Sequence, residues 1–255
     1  MKSIQDHFEY KINNHEQLFV PYIMAGDGGI EHLEDQLLFL EKCGASAIEV
    51  GIPFSDPVAD GPTIQAAGIR SLEKGTTLEK VFEQLEISKN KRNIPVILMV
   101  YINIVYVYGI DAFAKSCIQA GVQGVIVPDV PLEEEALITP ALKQSGIEWI
   151  RLVALTSSFH RIKQLTNKAE GFIYAVSDTG TTGVRTEQRT DLFPFLERVK
   201  KASSVPVLVG FGISTPEQVN ALRPYCDGVI VGSAIVELLH RNESEKIKTL
   251  IQSTM

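Results

Sequence analysis

Short apolar runs recur along the chain, and between them apolar residues fall at helical spacing. Eight runs stand out, at 18–23, 46–50, 95–100, 124–127, 148–153, 172–176, 206–209 and 228–231. Several are apolar throughout instead of alternating, the pattern of a strand buried on both faces. Helical spacing marks 33–43, 78–88, 109–120, 133–144, 191–201, 217–222 and 235–240. Strand alternating with helix predicts parallel pairing and right-handed crossovers. Eight such units predict an α/β chain folded as a (β/α)8 TIM barrel, in preference to an open doubly wound sheet. Nothing between them reads as a linker, so 1–255 is expected to form one domain.

The two longest separations between runs follow the second and the sixth. Extra length in such a barrel is expected in the loops after the strands, which lie on the catalytic face. Composition adds little: 45% hydrophobic and 22% charged residues exclude a disordered chain. The charge matters more. With 24 basic and 31 acidic residues the net charge is -7, which argues against nucleic acid or a membrane surface as partner. An anionic substrate must then be held locally. Cys43, Cys117 and Cys226 are scattered without metal spacing and read as reduced, buried thiols, with no metal expected. The first residues carry no secretory signal, and no run is long enough to span a membrane, so a cytoplasmic chain is expected.

The second run leads into Glu49-Val50-Gly51-Ile52-Pro53-Phe54-Ser55-Asp56-Pro57-Val58-Ala59-Asp60-Gly61-Pro62-Thr63. Glu49 lies inside an apolar strand, where a charged carboxylate is costly. Facing inward, it would be a weak acid suited to proton transfer near neutrality. Taken alone, it fits equally an outward Glu in an ion pair. Asp60 sits in a loop long enough to cover the mouth, though a turn Asp is the plainer reading. The sixth run leads into a small, polar, Gly-rich stretch, 177–186, suited to a lid or to a surface loop. Tyr174 precedes it and could meet a substrate or pack in the wall.

Gly210-Phe211-Gly212-Ile213-Ser214 follows the seventh run and Gly232-Ser233-Ala234 the eighth. Glycines let the backbone approach an anion, and the helix N-terminus at Ser233 offers free N–H groups. Loops at these two positions form the usual phosphate site of this barrel. Thr215, Pro216 and Gln218 spell a capped helix start. His7, His15, His32, His160 and His240 lie in polar segments and are expected at the surface. Glu133, Glu134 and Glu135 read as a first helical turn, and Asp129 as a brace for the turn at 130–131.

The stretch from Glu49 to Gln65 resembles the tryptophan synthase α subunit family, almost without a break. Further resemblance lies in Pro21–Asp27, Leu98-Met99-Val100-Tyr101-Ile102-Asn103, Gly210–Ser214 and Val231–Val236. The resemblance implies a lyase that splits indole-3-glycerol phosphate into indole and glyceraldehyde 3-phosphate. It implies that Glu49 protonates indole C3 and then takes the glycerol hydroxyl proton, while Asp60 serves the indole N–H. It puts Tyr174 on the glycerol part, and Tyr22, Leu98 and Thr182 beside the indole. Gly183, Gly212, Gly232 and Ser233 would hold the phosphate. It also implies a pyridoxal-phosphate β subunit as partner in an αββα complex, reached by indole through a tunnel, with the 53–60 loop near the contact. The α chain itself would use no cofactor.

Two other readings stand beside this one. One is a sugar-phosphate isomerase or epimerase on the same barrel, against which the apolar Tyr22, Leu98 and Val127 favour an aromatic substrate. The other is a binding subunit whose role is to activate its partner.

Overall fold

In the computed structural model, residues 3–176, 188–210 and 212–254 are described. Their strands are β1 Leu18–Met24, β2 Ile48–Gly51, β3 Val96–Met99, β4 Gly124–Ile126, β5 Glu148–Trp149, β6 Arg151–Ala154, β7 Ile173–Val176, β8 Val207–Gly210 and β9 Gly228–Val231. All pairings are parallel, in the order β5-β4-β3-β2-β1-β9-β8-β7-β6. The expected fifth strand is divided at Ile150. Its first half pairs with β4 and its second with β7, so the chain itself joins the two edges of the sheet. The predicted barrel of eight strands is thus present, with one strand in two pieces.

The helices cover the outside. They are α1 Ile4–Asn13, α2 Leu33–Cys43, α3 Pro62–Glu73, α4 Leu78–Ser88, α5 Ile102–Tyr108, α6 Ile110–Ala120, α7 Thr139–Gln144, α8 Phe159–Thr166, α9 Gln188–Ala202, α10 Pro216–Leu222, α11 Ser233–His240 and α12 Ser244–Gln252. One apolar layer lies between sheet and helices and includes Val50, Leu98, Val125, Val153, Ala175, Val209 and Val231. A second fills the barrel interior with Leu18, Val20, Ala47, Ile97, Ile126, Ile150, Phe172, Tyr174, Leu208 and Ile230. Alternate residues of a strand point to opposite faces, which explains the division.

Helix α1, absent from the expected elements, closes the N-terminal end of the barrel. Ser3 caps it by accepting from the Asp6 N–H. Ile4 and Phe8, one turn apart, enter the interior layer, and the Phe8 and Phe172 rings stand 5.6 Å apart. Glu148 accepts from the Ile4 N–H at 2.7 Å, placing a carboxylate at the helix's positive end.

Other departures have local causes. The long separation after β2 is mostly helix, since α3 and α4 follow a short loop. The expected helix 133–144 is a 3-10 turn at Glu135–Leu137 followed by α7, which begins afresh at Thr139 and Pro140. Glu135 stands on the first turn of that 3-10 segment, as expected, while Glu133 lies in the turn before it. Glu133 pairs with Arg161 and Glu135 with Arg151. His7 is half-buried, its Nε2 3.0 Å from the Ser46 carbonyl. Asp129 braces a different element from the one expected: it accepts from the Ile102 N–H at the start of α5. The Thr215, Pro216 and Gln218 start is a full capping box, and the three cysteines are buried.

Candidate active site

The mouth of the barrel is built from the C-terminal ends of the strands. Glu49 shares the inward face of β2 with Ala47, while Ile48 and Val50 face the helices. It is 1% exposed, and neither carboxyl oxygen has a hydrogen-bond partner among the described residues. Burial, and then the nearby Asp60 charge, push its carboxyl up to about 8. At neutral pH Glu49 is therefore mostly a carboxylic acid with a proton to give.

Asp60 ends the loop after β2. A turn at its base joins the Asp60 N–H to the Pro57 carbonyl at 3.1 Å, and the Gln65 side-chain amide donates to the Asp60 carbonyl at 2.8 Å. Burial raises the Asp60 carboxyl to about 6, against a lowering hydrogen bond from Tyr101. The site thus sets a buried acid beside a carboxylate that is ionised at neutral pH, an arrangement that divides acid and base roles between two like groups.

Two tyrosines line the same space. Tyr22 on β1 is the register partner of Glu49, and Tyr174 on β7 belongs to the interior layer. Both phenols are held well above their usual acidity range, by burial first and then by the Glu49 and Asp60 charges. They remain neutral donors. Glycines make room for them: a Cβ on Gly51 would stand 1.9 Å from the Tyr22 hydroxyl, and one on Gly210 would stand 2.5 Å from the Tyr174 ring.

The apolar wall differs from the expectation. Leu98 and Val127 face the helices, in the layer with Val50 and Phe82. Met99, one residue on, packs with Tyr22, Met24, Ile64, Ala67 and Val236 instead. The resemblance put Leu98 beside the indole, and in a strand buried on both faces the apolar run itself does not reveal which alternate set points inward. Ile64 and Ala67 come from α3, which the sequence reading did not recognise.

The glycine loops meet this wall. Gly232 is the N-cap of α11, and a Cβ there would lie 3.7 Å from the Tyr22 Cβ. No acidic residue occupies the first turn of α11, and Ser233 is exposed at its start. Gly212 adopts a φ of +75°, a conformation that favours glycine, with open space around it. Thr182 and Gly183, with the rest of 177–187, lie outside the described residues. A groove of about 460 Å³ runs behind the wall, where it shares Met24 and Val236, but neither carboxylate lines it.

Tyr101 is the residue that the sequence reading passed over. Its hydroxyl accepts from the Ala59 N–H at 3.0 Å, and its ring stacks on Phe54 with centroids 5.2 Å apart. No cluster of three or more metal-ligating side chains occurs among the described residues, and no helix among them is long and apolar enough to cross a membrane.

Known proteins resemble this chain over nearly its whole length. The family model of the tryptophan synthase alpha chain matches residues 8–255. The tryptophan synthase alpha chain of Oceanobacillus iheyensis is 54% identical over 238 residues, covering 93% of this chain and 91% of its own. That of Bacillus cereus (strain ZK / E33L) is 46% identical over 254 residues, covering 100% and 97%. Among solved structures, tryptophan synthase subunit alpha from Legionella pneumophila str. Paris superposes with a TM-score of 0.89 at 33% identity, covering 100% of this chain and 97% of that one. The chain therefore belongs to the tryptophan synthase alpha chain family, and it is a lyase of indole-3-glycerol phosphate.

Proposed function

We propose that Glu49 and Asp60 are the catalytic pair of this lyase and that the indole it releases passes to a tryptophan synthase β subunit. The observation that carries the first part is the buried, unpartnered carboxyl of Glu49. Indole carbon leaves poorly until C3 is protonated. The Glu49 acid gives its proton to C3, and the ring nitrogen becomes positively charged. Asp60, ionised at neutral pH, accepts a hydrogen bond from that N–H and stabilises the charge. The Glu49 carboxylate then takes the proton of the glycerol hydroxyl next to the ring. Its electrons form the aldehyde carbonyl, the carbon–carbon bond breaks, and the bonding pair re-forms the C2–C3 double bond of the ring while the iminium π electrons return to nitrogen. Indole and glyceraldehyde 3-phosphate result, with the Glu49 proton restored.

The remaining residues bind. Tyr22, Met99 and Ile64 flank the indole, and Tyr174 meets the glycerol part. Gly212, Gly232, Ser233 and Gly183 hold the phosphate, aided by the N-terminal dipole of α11. Thr182 is assigned to the indole side from its motif alone. Leu98, turned to the helices, is left out of this set.

Around the loop that carries Asp60, Val58 is 83% exposed, and Tyr106 and Val107 on α5 are 74% and 78% exposed. Apolar exposure grouped beside a reaction mouth suits a docked partner. That partner is the β subunit in an αββα complex, and pyridoxal phosphate belongs there, with no cofactor required by the steps above. Three buried thiols suit a cytoplasmic setting, and 1–255 acts as one barrel domain. The test is indole release from indole-3-glycerol phosphate by the purified chain, alone and with a β subunit added. Slow release that rises on mixing supports both parts, while release unaffected by the β subunit would remove the partner.

A further inference from the structure

We infer that Tyr101 is a positioning residue for Asp60, fastening the loop that carries this carboxylate to the start of α5. The inference rests on the reading of Asp60 given above. Loop 52–60 has local turns of its own, from the Val58 N–H to the Asp56 carbonyl and from the Asp60 N–H to the Pro57 carbonyl. Those turns shape it without attaching it to the barrel. The Ile52 N–H donates to the Met99 carbonyl at the start of the loop and the Gln65 side-chain amide to the Asp60 carbonyl at its end, and Tyr101 holds the stretch between them at two points. Its ring stacks on Phe54 near the beginning, and its hydroxyl accepts from the Ala59 N–H near the end. The same hydroxyl favours the ionised form of the neighbouring Asp60 carboxyl. Its acidity is pushed far down by burial, so it is a phenol, able to donate, throughout the working range.

Tyr101 is itself fixed. It is 3% exposed and is the N-cap of α5, whose first N–H is taken by the Asp129 carboxylate at 3.0 Å. A carboxylate from the end of β4 thus seats the helix, the helix seats the tyrosine, and the tyrosine seats Asp60. A hydrogen bond to the ionised form also keeps Asp60 a carboxylate at lower pH than burial alone would allow. Position and ionisation are set by one hydroxyl.

The test is Tyr101→Phe, which keeps the ring on Phe54 and removes only that hydroxyl. The expected loss in kcat/KM is about tenfold, the scale of one hydrogen bond to a charged group. The acid limb of the kcat/KM profile should move to higher pH, which a merely structural role would not cause. Added to Asp60→Asn, the same change should cost nothing further. Amide exchange at Ala59 should quicken in Tyr101→Phe. An unmoved acid limb, an unchanged Ala59 exchange rate, or an undiminished loss in the Asp60→Asn background would each overturn the inference. Asp60→Asn alone separates the two readings. If it keeps full activity, the role of Asp60 itself is wrong; if it is impaired while Tyr101→Phe is not, only the present inference fails.

Discussion

The hydroxyl of Tyr22 fills the space that a side chain on Gly51 would need, with a would-be Cβ only 1.9 Å from it. Gly51 follows Glu49 by two residues on the same face of β2, so this glycine sets how far the phenol can swing over the acid. Gly51→Ala is expected to push Tyr22 into the indole space. Overpacking of this kind costs about 1–3 kcal/mol of stability. A raised KM for indole-3-glycerol phosphate together with a lower melting temperature is the expected result, read by steady-state kinetics and thermal denaturation.

Activity should follow a bell-shaped pH profile. Asp60 must be ionised, and its carboxyl sits at about 6. Glu49 must be protonated, and its carboxyl sits at about 8. The kcat/KM of the free enzyme should rise through the first value, fall through the second and peak near neutrality. A profile flat from pH 5 to 9 would contradict this division of roles.

The same burial makes Glu49 a cost to the fold. Its carboxyl is raised in the folded chain, so folding is favoured at low pH, where the group is protonated in both states. Stability is lost as pH rises from about 4.5, where the unfolded chain ionises, through about 8. At pH 7 the cost is about 3 kcal/mol, from roughly 1.4 kcal/mol for each pH unit above 4.5. Glu49→Gln should therefore be more stable than wild type at pH 7 and about equal to it at pH 4. Urea unfolding at both pH values checks the sign.

Ser233→Asp separates stability from binding. An acid in the first turn of α11 should stabilise the helix by about 0.3–1 kcal/mol. The same charge repels a phosphate, so KM should rise about tenfold, equivalent to about 1.4 kcal/mol. Calorimetry with the substrate phosphate and a thermal melt would show the two effects moving in opposite directions.

Much of this was legible in the residues. Helices α2 and α4 and strand β9 fall where their spacing predicts, because their apolar faces are regular and their ends are marked by Gly44, Thr77 and Gly232. Glu49 was legible because a carboxylate within an apolar strand needs an explanation. Helix α1 was not, since only Ile4 and Phe8 carry its buried face. The inward side of β3 was also hidden: both faces of the strand are apolar, and Leu98 and Met99 are equally plausible from composition. Tyr101 was invisible because its partner lies 42 residues away in the chain.

The central claim is that the buried Glu49 acid moves the protons of the cleavage. The direct measurement is indole release from indole-3-glycerol phosphate by Glu49→Gln beside wild type, with the β subunit present and folding checked by circular dichroism. A folded variant with release reduced by about a thousandfold or more, the scale of a lost general acid–base group, is the predicted result. A folded variant that releases indole at the wild-type rate would contradict the account.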